Sequence, residues 1–162
     1  FKQKTAYEIG VRLVGSEMCI RDRFAARVCD IHSFLDELGL ISPRGEALSQ
    51  RLAYHDACDL KHAQAITEAP RRLLQQVPEL ELVQLDEAEM CCGSAGTFNI
   101  EQTEIAGRLG ARKAAVVLRS GASGVVSGNI GCIMQIGAHL RLADNFLPVL
   151  HTMEVLDSAY GD

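Results

Sequence analysis

Four cysteines in this chain sit where thiolates can act together. Cys58 follows the segment Arg51 to His55, Cys91 and Cys92 are adjacent and precede Gly93, and Cys132 follows the segment Gly124 to Ser127. Thiolates suit a soft metal: zinc takes four tetrahedral sulfur ligands, and iron–sulfur clusters are also held by cysteine. The Cys91–Cys92 pair is unlike a Cys-x-x-Cys knuckle. Neighbouring side chains diverge unless the backbone turns sharply, and Gly93 and Gly96 supply the freedom for such a turn. Two adjacent thiolates suit two iron atoms of a cluster better than one small ion. Any one of these cysteines alone reads as a small buried hydrophobe. A vicinal Cys91–Cys92 disulfide is a further alternative, disfavoured by disulfide geometry. The four positions together carry the metal reading.

Other polar residues bear on the same chemistry. His55 precedes Asp56 and Cys58 at a strand end, as a metal ligand or a hydrogen-bond partner of sulfur; a histidine satisfied by nearby backbone is the alternative. His62 and His139 fall in helical segments and read as surface or interface residues. His151 ends the last strand beside Pro148 and its apolar neighbours, in a structural role. Gly128, Asn129 and Gly131 lack the spacing and following lysine of a phosphate loop, so they read as a turn presenting Cys132. Ser94 lacks the Gly-x-Ser-x-Gly context of a nucleophile elbow. Cys29 has no motif partner and is expected to be a buried thiol.

The elements that must position these residues alternate along the chain. Helical spacing of Ile31, Phe34, Leu35 and Leu38 ends at Gly39, and a Pro/Gly turn follows at Ser42 to Gly45. Strands are expected at Arg51–His55, Leu80–Leu85, Gly124–Ser127 and Leu147–His151. Helices are expected over Lys61–Gln76, Glu101–Ser120, Cys132–Ala143 and Thr152–Tyr160. Helices between short strands imply an α/β fold with a small, mainly parallel sheet joined by right-handed crossovers. Adjacent Val125 and Val126 would face opposite sides of a sheet covered on both faces. In such a sheet the carboxyl ends of the strands share one edge, where ligands bind, so cysteines distant in sequence can converge there.

The first stretch, Phe1 to Arg23, has a weak pattern and scattered charges and resembles translated sequencing-adapter sequence. It is set aside from the domain of residues 24–162, and Cys19 goes with it; a helix over Thr5 to Val14 is the rival reading. Of the 162 residues, 48% are hydrophobic and 23% charged, a composition that builds a soluble core. A net charge of −5 with no basic stripe argues against nucleic acid, and 5% aromatics with no tryptophan argues against base stacking. No apolar run has the roughly 18 residues of a membrane span. Six cysteines without a secretory pattern or regular disulfide spacing point to metal or redox chemistry in a reducing compartment.

The segments YHDACDLKHAQ, EMCCGSAGTFNIEQ and SGNIGCIMQI, followed by LPVLHTMEVLDSAY, resemble the C-terminal cysteine-rich CCG domain of the glycolate oxidase iron–sulfur subunit. The wider pattern is shared with the cysteine-rich subunit of heterodisulfide reductase and with lactate-utilisation proteins. The resemblance implies that Cys58, Cys91, Cys92 and Cys132 are cofactor ligands, holding an iron–sulfur cluster or, as in some members, zinc. Gln135 stands where the wider pattern has a further cysteine, which leaves four thiolates. Asp59 stands where the family usually has histidine, and Ile130 where it usually has proline; both touch the loops that carry the ligands. The implied function is electron transfer from a flavin-containing subunit that oxidises glycolate to glyoxylate. This chain would be a fragment of a longer cytoplasmic subunit, with no catalytic residue of its own, working beside other subunits at the inner face of the cell membrane. A structural zinc domain, a heterodisulfide-reductase-like redox enzyme and a fragment that binds no metal are the alternatives.

Overall fold

The computed structural model describes residues 16–41, 43 and 50–161. Two helices come first, α1 (Ser16–Ala25) and α2 (Ile31–Leu38). Strand β1 (Arg51–His55) leads through a π turn at Asp59–Ala63 to α3 (Glu68–Leu74) and β2 (Glu81–Val83). Next come α4 (Phe98–Glu101), α5 (Thr103–Arg119), β3 (Gly124–Ser127), α6 (Ile130–Leu142), β4 (Val149–His151) and α7 (Thr152–Tyr160). The strands form one sheet of order β2-β1-β3-β4 with every pairing parallel. The expected α/β architecture is therefore the observed one.

Period-2 alternation divides the strand residues between two helical layers. Ala53 and Val125 pack with Val117 of α5 and with Ile136 and Leu140 of α6. Leu52, Tyr54 and Val126 pack on the other face with Leu74 of α3 and Val155 of α7. Val125 and Val126 thus do face opposite layers, and a short parallel strand covered on both sides needs apolar residues at successive positions.

Several boundaries differ from the sequence expectation for local reasons. The segment Lys61–Gln76 is not one helix. Ala65 adopts φ 56, which stops the π turn, and Pro70 lies in the first turn of α3, where its missing N–H costs no helical bond. The helix expected from Glu101 is broken at Gln102 (φ −124, ψ 54) into α4 and α5. Strands β2 and β4 are three residues each. Cys29 is exposed rather than buried, because it lies in the link before Asp30, the N-cap of α2, where no element among the described residues covers it. Residues 19–29 are all exposed. The alternative helix over Thr5 to Val14 lies outside the described residues, as does most of the turn at Ser42 to Gly45.

Candidate metal centre

The register sets His55, Ser127 and His151 side by side at the carboxyl edge of the sheet. His55 is 1% exposed, and neither ring nitrogen forms a hydrogen bond. Against it lie Cys92 and Cys132, whose sulfurs share a hydrogen bond at 3.3 Å. One ligand atom from each of His55, Cys92 and Cys132 lies within 4.8 Å of the other two.

Each sulfur is delivered by a different device. Cys132 stands in the first turn of α6, where the Asn129 side chain accepts the backbone N–H groups of Gly131 (2.9 Å) and Cys132 (3.3 Å). Cys92 ends the loop after β2. Gly93, at φ 91, lets that loop run directly against Ala106 of α5. The loop is tied down by a two-bond fork from Arg112 to the Glu87 carboxylate, by an ion pair between Lys61 and Glu89, and by the Lys113 ammonium on the Glu87 and Ala88 carbonyls. Cys58 opens the π turn. The backbone ahead of it is fixed by Asp56, which accepts two 2.7 Å bonds from Arg71, whose guanidinium lies 4.7 Å above the Tyr54 ring. Cys58, Cys92 and Cys132 line one cleft of about 550 Å³, with His62, Ser94 and Asn129 on its walls.

The sulfurs ionise unequally. The hydrogen bond between them favours the Cys92 thiolate, helped by His55 and the Ser94 backbone N–H against the cost of burial. The same hydrogen bond, with burial and the negative charge of Cys92, pushes the Cys132 thiol up. Cys91 is also pushed up, chiefly by burial and by the charges of Cys92 and Cys58, although its sulfur accepts the Gly93 N–H at 3.3 Å.

A metal fits this donor set. Bonds of about 2.3 Å to sulfur and 2.0 Å to nitrogen put two tetrahedral sulfur ligands roughly 3.8 Å apart and a sulfur and a nitrogen roughly 3.5 Å apart; the Cys92 and Cys132 sulfurs lie at 3.3 Å and all three donors lie within 4.8 Å of one another. Two orphaned nitrogens on a buried imidazole are costly unless something polar meets them, and a soft cation is what nitrogen and sulfur together prefer. Of the expected site residues, His55, Cys92 and Cys132 come together at the sheet edge, and Cys58 lines the same cleft as the two cysteines, outside that tight group. Cys91 is half-buried, turned toward Gly93, and lies outside the tight three-donor group. Cys91 and Cys92 are free thiols. His62 is exposed on the cleft wall. His139 stands between α5 and α6 with its ring against Gly110, and His151 caps α7 by accepting the Met153 N–H.

Sequence reasoning missed Lys113 and His32, both 0% exposed. His32 bonds Asp30 through Nδ1 at 2.7 Å and packs against Gly128, just ahead of the Asn129 cap. The only signal for Lys113 in the chain is a lysine at a core position of the α5 stripe.

The model of the cysteine-rich CCG domain matches residues 52–137, which hold all four candidate thiols and His55. Lactate utilization protein A of Oceanobacillus iheyensis is 32% identical over 129 residues, covering 80% of this chain and 53% of that protein. The same-named protein of Bacillus pumilus is 30% identical over 137 residues, covering 85% and 58%. The uncharacterized protein YkgE of Escherichia coli is 31% identical over 137 residues, covering 84% and 57%. The chain thus spans a little over half the length of these relatives.

Proposed function

The chain belongs to the cysteine-rich CCG domain family, and on that premise we propose that it is the metal-binding, electron-transfer module of an oxidoreductase acting on a short 2-hydroxy acid. The observation that carries this reading is the buried His55–Cys92–Cys132 group, with Cys58 on the same cleft and Cys91 beside it. An iron–sulfur cluster held there would supply one-electron transfer. The chain's own residues bind and tune. Asn129 and the first turn of α6 orient Cys132. The Ser94 N–H and His55 favour the Cys92 thiolate. The apolar layer of Ala53, Val125 and Ile136 keeps water from the inner side. No residue here is assigned to the substrate; oxidation of the acid is the task of a flavin-containing partner.

The names of the relatives support lactate as the acid, and the CCGSAG and GNIGCIMQ strings support glycolate. We place the chain in the cytoplasm, with its partner subunits, at the inner face of the membrane. Among the described residues no helix is long and apolar enough to cross a membrane. A second reading, a structural zinc site, is favoured by one observation: the tight donor group mixes one imidazole with two thiols, a set zinc accepts.

The test is anaerobic purification of the chain beside a Cys91→Ser, Cys92→Ser variant, with iron, acid-labile sulfide and zinc measured in both. Iron with sulfide in the native chain, lost in the variant, is the expected result. Stoichiometric zinc without sulfide selects the structural site. An equal metal content in the two proteins removes the site altogether.

A further inference from the structure

Lys113 occupies a place where α5 calls for a hydrocarbon. The buried positions of that helix are Ala106, Gly110, Lys113, Ala114, Val116 and Val117, and Lys113 is 0% exposed. An ammonium is held in such a place at a desolvation cost unless its surroundings return it. Its Nζ donates to the Glu87 carbonyl at 2.7 Å and to the Ala88 carbonyl at 3.3 Å. Both carbonyls belong to the loop that delivers Cys91 and Cys92 four residues later. The Glu87 carboxylate is taken by Arg112. Burial opposes the charged form of Lys113, while Cys92 is foremost among the anionic groups that favour it, ahead of Glu87, Asp56 and Cys91.

We propose that Lys113 is the positioning residue of the loop that carries Cys91 and Cys92. The inference rests on the metal-binding reading above. The two carbonyl bonds of the buried ammonium hold the backbone that aims the sulfurs. A lysine kept only for packing would be replaceable by a side chain of equal shape; one that holds the loop carbonyls would not.

Cobalt(II) is the probe, because thiolate ligation gives it a sulfur-to-metal absorption band. Affinity and melting temperature are measured for the native chain, Lys113→Met, Lys113→Arg and Val117→Ala. The last opens a cavity in the same helix and core without changing charge. Lys113→Met, which keeps the hydrocarbon and loses both bonds to the loop, is expected to weaken cobalt binding by about tenfold, the size of a lost hydrogen bond from a charged donor. Lys113→Arg keeps most of the affinity. Val117→Ala lowers the melting temperature and leaves affinity in place. Native affinity in Lys113→Met, or an equal loss in Val117→Ala, overturns the inference alone. A native chain that binds no cobalt overturns the metal-binding reading and the inference with it. If Lys113→Met does not fold, the native protein labelled with ¹⁵N-lysine decides. The buried ammonium signal shifts when zinc is added, and a signal that stays in place overturns the inference.

Discussion

His55 combines a polar ring, near-complete burial and two nitrogens without partners. In a purely structural role that combination lowers stability, because a desolvated polar atom with no bond costs about 1–3 kcal/mol. Replacing it with leucine, similar in reach and apolar, should therefore leave the metal-free protein at least as stable in thermal melts. The same His55→Leu change should weaken metal binding by about tenfold or more, since one of three gathered donors is gone. A fall in melting temperature with unchanged metal affinity would make His55 a core residue instead. Its candidacy is legible in the chain from its place three residues before Cys58. The burial of Lys113 and His32 is not, because a single lysine in a helix reads as a solvated face and a single histidine as a satisfied one. Only the packing around Gly128 and beneath the Glu87–Ala88 loop makes either of them interior.

At the scale of elements, the site is assembled from three loop-to-helix junctions on one sheet edge, and at Gly93 one of them packs directly against the backbone of α5. A Cβ there would lie 2.6 Å from the Ala106 carbonyl oxygen, and the backbone at φ 91 disfavours any side chain. Both faults fall on backbone atoms that cannot rotate away. Gly93→Ala is expected to cost about 1–3 kcal/mol and to displace Cys92, read as a lower melting temperature together with loss of bound metal. A stable variant with full metal content would show that the turn has slack. The junctions are partly legible in the chain. The glycines after Cys92 announce a turn, and the alternation of β1 and β3 announces their faces. The split of Lys61–Gln76 is not legible. Its causes, a left-handed Ala65 and a proline confined to a first helical turn, become visible only once Cys58 must sit in a turn of its own.

For the molecule as a whole, the order β2-β1-β3-β4 places the loops after β2, β1 and β3 next to one another, so cysteines from different loops, 33 to 74 residues apart, share one cleft. A metal held by these loops, as proposed, would tie them together and stabilise the folded chain by mass action. At a free concentration about 100 times its Kd, zinc should add about 2.7 kcal/mol to the unfolding free energy. The measurement is a denaturant titration with and without the metal, reversed by a chelator. Equal midpoints would mean that the metal binds the unfolded thiols as well as the folded site.

The amino-acid sequence by itself determined the kinds of donor available, the strand–helix alternation and the edge at which the cysteines could meet, because ligand chemistry and backbone periodicity are local properties. The tertiary structure decided which donors meet. It set His55 with Cys92 and Cys132, turned Cys91 toward Gly93, and buried the Lys113 charge beneath the loop. Those outcomes depend on how two helical layers press on one sheet, and no spacing along the chain encodes that distance.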